Sequence, residues 1–530
     1  MFPRCLWLPA ASGGYAALLV IVRGSPSLES DAGIFLSVAG RLLDGDRLYV
    51  DVLDNKDPLF YYSHAAALAL GDWRVPFLLD VVWLAVAATF TFLLLRAIGA
   101  SRLTAAIGFA CLPLLLTGAW YLAGYSMLAA LALVPVIGWL WIRGSFASAG
   151  ALLCVGLLFK VNLALVLVSA PVAFLLLRLP AGGARSQLAR AAAGFGAVGA
   201  AAVAILALRG ELQGYLDNLI DNVAYSRDVL AVTGRPSGIL GHSEAVAGAV
   251  GSPGHAAVVA VGFLVVGVLA IRTLRERRVE QGERPPAAIR TVATLFLVTS
   301  VATALTLALT AAWNHHVQML AYPGLLLIAF LVMVIRPPSA DLFRVAAACV
   351  SAGLVVVLLG GTGSYPHRRG SISTWLESGR SETAELLERA GKKRVPRLDE
   401  PTFAHLGRND EEAVAAFLGR DHALACPTIA QYFYTPDLHG VSRCIRERRP
   451  RLLLVTQSFK RSGFAPPKWN RFVARGSSLL SQDYEPALTR ETGDGSTEVW
   501  TLRHRHEPGL RDRDRREVAA PLPASRSRKS

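Results

Sequence analysis

The sequence predicts a mainly α, polytopic membrane protein of about 11 transmembrane helices, followed by a small C-terminal α/β domain outside the membrane. Three observations carry this. Of 530 residues, 53% are hydrophobic and 18% are charged, whereas soluble domains carry about 25% charged residues. Over residues 1–360 the apolar residues gather in blocks of about 20, the length that crosses a bilayer core as a helix. The arginines between those blocks collect on one side. A soluble multidomain enzyme, a disordered chain and a disulfide scaffold are thereby excluded.

The first apolar run, 5–22, follows Arg4 and has no small-residue cleavage site behind it, so it reads as a retained span rather than a removed signal peptide. Further runs lie near 76–95, 103–118, 126–142, 149–177, 189–208, 254–271, 291–311, 317–335 and 343–360. The stretch 147–178 is too long for one span of about 20 residues and too short for two full ones. Lys160 and Asn162 interrupt it. Two short helices meeting at a polar break are expected, a geometry lipid tolerates only where the broken backbone is buried or faces water. The run 58–70, PLFYYSHAAALAL, spans only about 20 Å as a helix and reads as a re-entrant or interfacial element.

With that helix not crossing, Arg96, Arg102, Arg143, Arg178, Arg185, Arg190, the cluster Arg272–Arg290, Arg336 and Arg344 share one side, which the positive-inside rule makes cytoplasmic. Segments 24–75, 119–125, 209–253 and 312–316, and everything after 361, are then outside. Much of the formal charge of +15 is accounted for by loops facing anionic lipid, so no nucleic-acid partner is needed. The expected location is the cell membrane, multi-pass.

Beyond the membrane part (1–360) the composition changes. SETAELLERAG and NDEEAVAAFLG read as short helices, and RLLLVT (451–456) and TEVWTLR (497–503) as strands, which makes 361–505 a small α/β unit. The tail 506–530, rich in Arg, Asp, Pro and Ser, has no apolar period and is expected to be disordered. Cys426 and Cys444 fall in the exported part, where an oxidising compartment allows a disulfide. No spacing resembles a zinc site.

Chemistry concentrates in the first outside loop, 24–57, with Glu29, Asp31, Asp44, Asp46, Asp51, Asp54, Asp57 and Lys56. A carboxylate at a membrane surface can take a proton from an attacking hydroxyl or hold a divalent cation, and a lysine there can meet a lipid phosphate as a point charge. The plain alternative is a solvated acidic loop. Tyr49, Asp54 and Asp57 stand beside Lys56 as further substrate contacts, although tyrosines here serve as well as interfacial anchors. A lysine in an apolar stretch costs about 2.5–3.5 kcal/mol on insertion scales. Lys160 therefore faces a polar cavity, a phosphate or a structural acid. His315 and His316 end an outer loop. The outer segment 209–253, with Asp217, Asp221, Arg227, Asp228, Arg235, His242 and Glu244, fits a lid or a structural crossover equally.

The order of residues adds a resemblance. Asp31-Ala32-Gly33 after the first span, an apolar helix ending in a glycine turn, then Lys56-Asp57-Pro58 opening an aromatic helix resembles the membrane glycosyltransferases of the GT-C class. The likeness is to the bacterial branch related to protein O-mannosyltransferases and the lipid A aminoarabinose transferase (glycosyltransferase family 39-like). In that branch the loop begins with Asp, often Asp-Glu, and ends in Lys-Pro-Pro. Here Ala32 and Asp57 depart by one residue each. GLLFKVN, with Lys160, is similar to the branch's Gly-rich span ending in Thr-Lys-Gly, and WNHHVQMLAYP (313–323) to its His-Tyr span.

The resemblance implies a sugar transferase using a polyprenyl-phosphate donor at the outer face of the cytoplasmic membrane. Asp31 would be the general base, Lys56 a donor-phosphate contact, and Lys160, His315 and His316 further substrate contacts. The acceptor would be a glycan, a lipid or a protein. The motifs demand no cofactor, and the acidic loop leaves a divalent cation open. A transporter or lipid flippase, which also uses membrane lysines and broken helices, and a non-catalytic assembly protein on the same scaffold are the competing readings.

Overall fold

The computed structural model describes residues 7–23, 31–52, 54, 56–71, 74–118, 121, 123–177, 183–220, 222, 287–310, 314–334, 402–407, 423–424, 438–450, 452–458, 474–478, 480–492 and 495–503. The runs 254–271 and 343–360, the helices expected at SETAELLERAG and NDEEAVAAFLG, the tail from His506 and all of 223–253 lie outside the described residues.

The membrane part is helical: α1 (Trp7–Arg23), α2 (Asp31–Leu43), α3 (Pro58–Ala69), α4 (Val75–Ala97), α5 (Arg102–Leu116), α6 (Ser126–Ile142), α7 (Phe146–Phe159), α8 (Ala164–Leu176) and α9 (Ala184–Leu208). A short helix, α10, covers 212–220; α11 is Ala287–Leu309 and α12 is Ala321–Val334. Among the described residues three helices, α4, α9 and α11, are long and apolar enough to cross a membrane by length and composition. The other apolar helices have 10–17 residues.

α6 is apolar all round and buried from Ser126 through Gly138, as expected of a central helix. α4 packs on α1, α5 and α6, while α8 packs on α6 and α11. The outer faces are equally apolar: Leu78 and Val82 on α4, Leu188, Val203, Ile205 and Leu208 on α9, and Val301, Leu305 and Leu309 on α11 are exposed. In water such a surface would aggregate; it needs lipid. The chain is a membrane protein.

The expected break at Lys160 is present. α7 stops at Phe159, Lys160 is extended (φ −161°, ψ 94°), and a 3-10 turn, Val161–Leu163, leads into α8. α3 has 12 residues, about 18 Å, too short to cross a core of about 30 Å. Pro58 occupies its first turn, where the missing N–H has no intrahelical partner to lose.

Helices α7 and α9 meet through a reciprocal glycine pair. A Cβ on Gly150 would come well under 3.0 Å from the Ala191 carbonyl, and one on Gly194 would do the same to Ala147. The two backbones touch because neither residue has a side chain.

The C-terminal strands β1 (Thr402–Gly407), β2 (Ala423–Leu424), β3 (Leu452–Ser458), β4 (Tyr484–Thr492) and β5 (Gly495–Leu502) form one sheet in the order β2-β1-β3-β5-β4. β1 runs parallel to β2 and β3; β5 runs antiparallel to β3 and β4. The two strands expected from sequence are direct neighbours, with Leu453 opposite Trp500. Leu452–Val455 are all buried, which explains their unbroken apolar run. Cys444, on α13 (Leu438–Arg448), is disulfide-bonded; Cys426 lies outside the described residues.

Gly150→Val should separate α7 from α9 and lower stability by about 1–3 kcal/mol, the usual cost of overpacking. Gly196→Ala, whose Cβ would meet nothing within 4 Å, should be neutral or slightly stabilising. Thermal unfolding of both variants in detergent checks the contrast.

Candidate functional site

The loop between α2 and α3 folds back on itself before it reaches Lys56. At the end of α2, Arg41 Nε donates to Asp46 Oδ2 at 2.6 Å, and Gly45 turns the chain with φ +97°. Tyr49 has φ +65°, a conformation uncommon outside glycine, and its N–H donates to the Val52 carbonyl at 2.7 Å. Its hydroxyl donates to the Lys56 carbonyl at 2.7 Å. Burial holds that phenol well above its ordinary value, so it remains a donor. Tyr49 thus fixes the Lys56 backbone, and it and Tyr61 are buried instead of standing at a membrane interface. Asp54, also buried, accepts from the Lys56 N–H at 3.3 Å.

Asp57 occupies the N-cap position of α3 but makes no side-chain cap. Its carboxylate leaves its own helix. Oδ2 accepts from the Val161 N–H at 2.9 Å, a donor freed by the break after α7. Oδ1 accepts from the Tyr215 hydroxyl at 3.1 Å, and Tyr215 lies on α10. One side chain therefore ties together the first loop, the helix break and the segment behind α9. Its partners do not offset desolvation: burial pushes the Asp57 carboxyl up to about 6, opposed by the Val161 N–H, Lys160, Tyr215 and Lys56. Burial and Asp57 also raise the Tyr215 phenol, which keeps it protonated and donating.

Two ammonium groups converge above this carboxylate. Lys56 Nζ lies 5.3 Å from the centroid of the Tyr125 ring and 5.4 Å from that of Phe35. Lys160 Nζ lies 5.4 Å from the same Tyr125 ring. All three distances are within cation–π range. Phe35 and Tyr125 meet edge to face at 5.3 Å. Lys160 is buried, 7% exposed, whereas Lys56 is half-buried. Asp54 and Asp57 bring two buried carboxylates to the two ammonium groups, and a low dielectric strengthens each charge interaction among them.

A third buried acid clamps the rim. Glu211, fully buried, accepts from the Leu48 N–H at 3.0 Å and from Arg209 Nε at 2.9 Å, and from the Tyr62 hydroxyl. Arg209 lies over the Tyr62 ring. Gly214 abuts Tyr49, where a Cβ would come within 2.6 Å of the Tyr49 carbonyl. The described start of the segment 209–253 is accordingly a fixed crossover.

Among the sequence-derived candidates, Lys56, Asp57, Lys160, Tyr49 and Asp54 are brought together. Asp31 is the first residue of α2; its side chain is outside the described residues, as is that of His315. His316 is buried on the 3-10 segment Asn314–Leu320, which is anchored elsewhere, by Gln318 Nε2 donating to the Leu116 carbonyl at 3.2 Å. Among the described residues no group of three or more His, Cys, Asp or Glu is placed to hold a metal ion. Tyr125, Tyr215, Glu211 and Asp80 join the site without any motif. The only sequence signal for Glu211 and Asp80 is an acid at or inside an apolar segment.

Fold and site together define an integral membrane protein with a centre of lysine, aspartate and aromatic side chains. No protein-family model matches the chain, and no curated protein matches it. Among solved structures it is similar to the crystal structure of ArnT from Cupriavidus metallidurans bound to undecaprenyl phosphate, at 13% identity over 93% of this chain and 97% of that one, with a TM-score of 0.48.

Two outcomes follow from this geometry. Because the folded pKa of Asp57 is raised, the unfolded chain ionises first as pH rises from about 4, while the native carboxyl stays neutral to about 6. Stability relative to Asp57→Asn should therefore be greatest below pH 4, fall between pH 4 and 6, and level off above. Denaturation of both proteins across that window reads the slope; a relative stability that climbs with pH contradicts the burial of Asp57. Glu211→Ala, which leaves the Leu48 N–H and the Tyr62 hydroxyl without their acceptor, should cost about 2–3 kcal/mol, measured by the same method.

Proposed function

We propose that the protein is a polytopic membrane glycosyltransferase that moves a sugar from a polyprenyl-phosphate donor to an acceptor outside the cytoplasmic membrane. The single observation that carries the reading is the meeting of Lys56 and Lys160 on one aromatic ring, from segments 104 residues apart by their own numbers. Each lies in a motif that resembles the GT-C pattern. In this reading the ammonium pair holds the donor phosphate, and its charge is matched to the negative charge that grows as the sugar–phosphate bond breaks.

Asp31 is the proposed general base. It is the first residue of α2, the helix that carries Phe35, and Lys56 covers the Phe35 ring. The acceptor oxygen or nitrogen attacks the anomeric carbon, its proton passes to the Asp31 carboxylate, and the phosphate departs with the bonding electron pair. Tyr49, Asp54 and Asp57 position Lys56 and Lys160 rather than touching the sugar. His315 and His316 belong to the acceptor side in this reading. The remaining architecture proposed is about 11 spans, as membrane thickness requires of these runs, with 361–505 as an extracytoplasmic α/β domain carrying a Cys426–Cys444 bridge.

Sugar transfer from radiolabelled polyprenyl-phosphate sugars in membranes tests the chemistry. Asp31→Asn should lower transfer by about 10²-fold or more, the range of general-base catalysis, while leaving donor binding intact. Lys56→Ala and Lys160→Ala should each weaken donor binding. Normal transfer by Asp31→Asn removes the base assignment, and unchanged binding in the double lysine variant removes the phosphate site.

A further inference from the structure

Tyr125 is the ring on which both lysines rest, and it is the last residue of a short loop before α6. Its backbone is extended (φ −97°, ψ 141°) and makes no side-chain cap. The residue before it, Gly124, has φ +73° and packs against the Phe77 ring. Such a loop has several alternative poses unless something fixes it.

That something is in α4. Asp80, one and a half turns into an otherwise apolar helix, is 2% exposed. Its Oδ2 accepts from the Tyr121 hydroxyl at 2.5 Å and from the Gly124 N–H at 2.7 Å. Both donors flank the turn that delivers Tyr125, and both are neutral. A carboxylate is expensive to bury with neutral partners alone, so packing by itself does not account for an acid at this position. Charged acceptors do, however, make the stronger and shorter hydrogen bonds, and here they are aimed at one turn.

We infer that Asp80 is a positioning residue for the anion site: by holding the Tyr121–Gly124 turn it sets the Tyr125 ring between Lys56 and Lys160. It touches neither the ammonium groups nor a substrate in this role. The inference rests on the donor-phosphate reading for its consequence but not for its geometry, and the two parts are tested separately.

Geometry is read without any ligand. In a protein carrying Lys56→Cys and Tyr125→Cys, a short bifunctional thiol reagent should bridge the two positions in lipid nanodiscs when Asp80 is intact. Yield should persist with Asp80→Asn, whose carbonyl accepts the same two hydrogen bonds, and collapse with Asp80→Leu. Tyr121→Phe, which removes one donor and leaves α4 unaltered, should give an intermediate yield and serves if Asp80→Leu fails to fold. Undiminished bridging in Asp80→Leu or Tyr121→Phe overturns the inference.

The consequence is read with a C55 polyprenyl phosphate as probe and the uncharged polyprenol as control. With native lysines, Asp80→Leu and Tyr125→Leu should each weaken phosphate-lipid binding by roughly 10-fold, and the pair together no more than Tyr125→Leu alone, since coupled residues are non-additive. Additive losses contradict action through Tyr125. If the unaltered protein does not distinguish the phosphate from the alcohol, the donor reading fails while the bridging result still judges Asp80.

Discussion

The reach of the Asp57 carboxylate to Val161 and Tyr215 is the constraint on which the rest of the site depends. A helix break inside apolar surroundings frees backbone donors that lipid cannot satisfy. Asp57 answers one of them, and in doing so pins the loop between α2 and α3 against the α7–α8 junction. Lys56, its neighbour in sequence, and Lys160, the residue at the break, are thereby delivered to the same ring. Without that carboxylate the two motifs would have no fixed relation.

The arrangement is held from outside as well as within. Tyr49 secures the Lys56 carbonyl, Glu211 secures the Leu48 N–H, and α10 closes over both through Gly214 and Tyr215. Tyr49 and Glu211 are buried and Gly214 and Tyr215 half-buried, while Leu, Ala, Val and Phe make up much of the surrounding core. Buried polar networks of this kind fix a unique geometry when every member is satisfied.

The helical membrane part was legible because its signals are long: apolar runs of span length, arginine asymmetry and the interruption at Lys160. The strands at 452–458 and 495–502 were legible for the same reason, a β-branched and aromatic run bounded by turns. Lys56, Asp57 and Lys160 stood out as charges beside or within apolar sequence, and their convergence is what the fold adds. Tyr125 and Tyr215 were not legible, since an aromatic residue at a helix end is ordinary in any membrane chain. Asp80 was passed over within an apolar run, although a lone acid there is the kind of residue that rarely lacks a purpose. Tyr49, which the sequence leaves between a substrate contact and an interfacial anchor, is buried, because the loop folds back through a positive-φ residue that no periodicity announces.

The most direct measurement is an experimental structure of the protein in lipid nanodiscs with a polyprenyl phosphate added. Head-group density within hydrogen-bonding reach of both Lys56 and Lys160, with the isoprenoid tail running along the helices and the Asp31 carboxylate facing the phosphate, is the expected result. Density for the phosphate at some other place, away from both lysines, would contradict it.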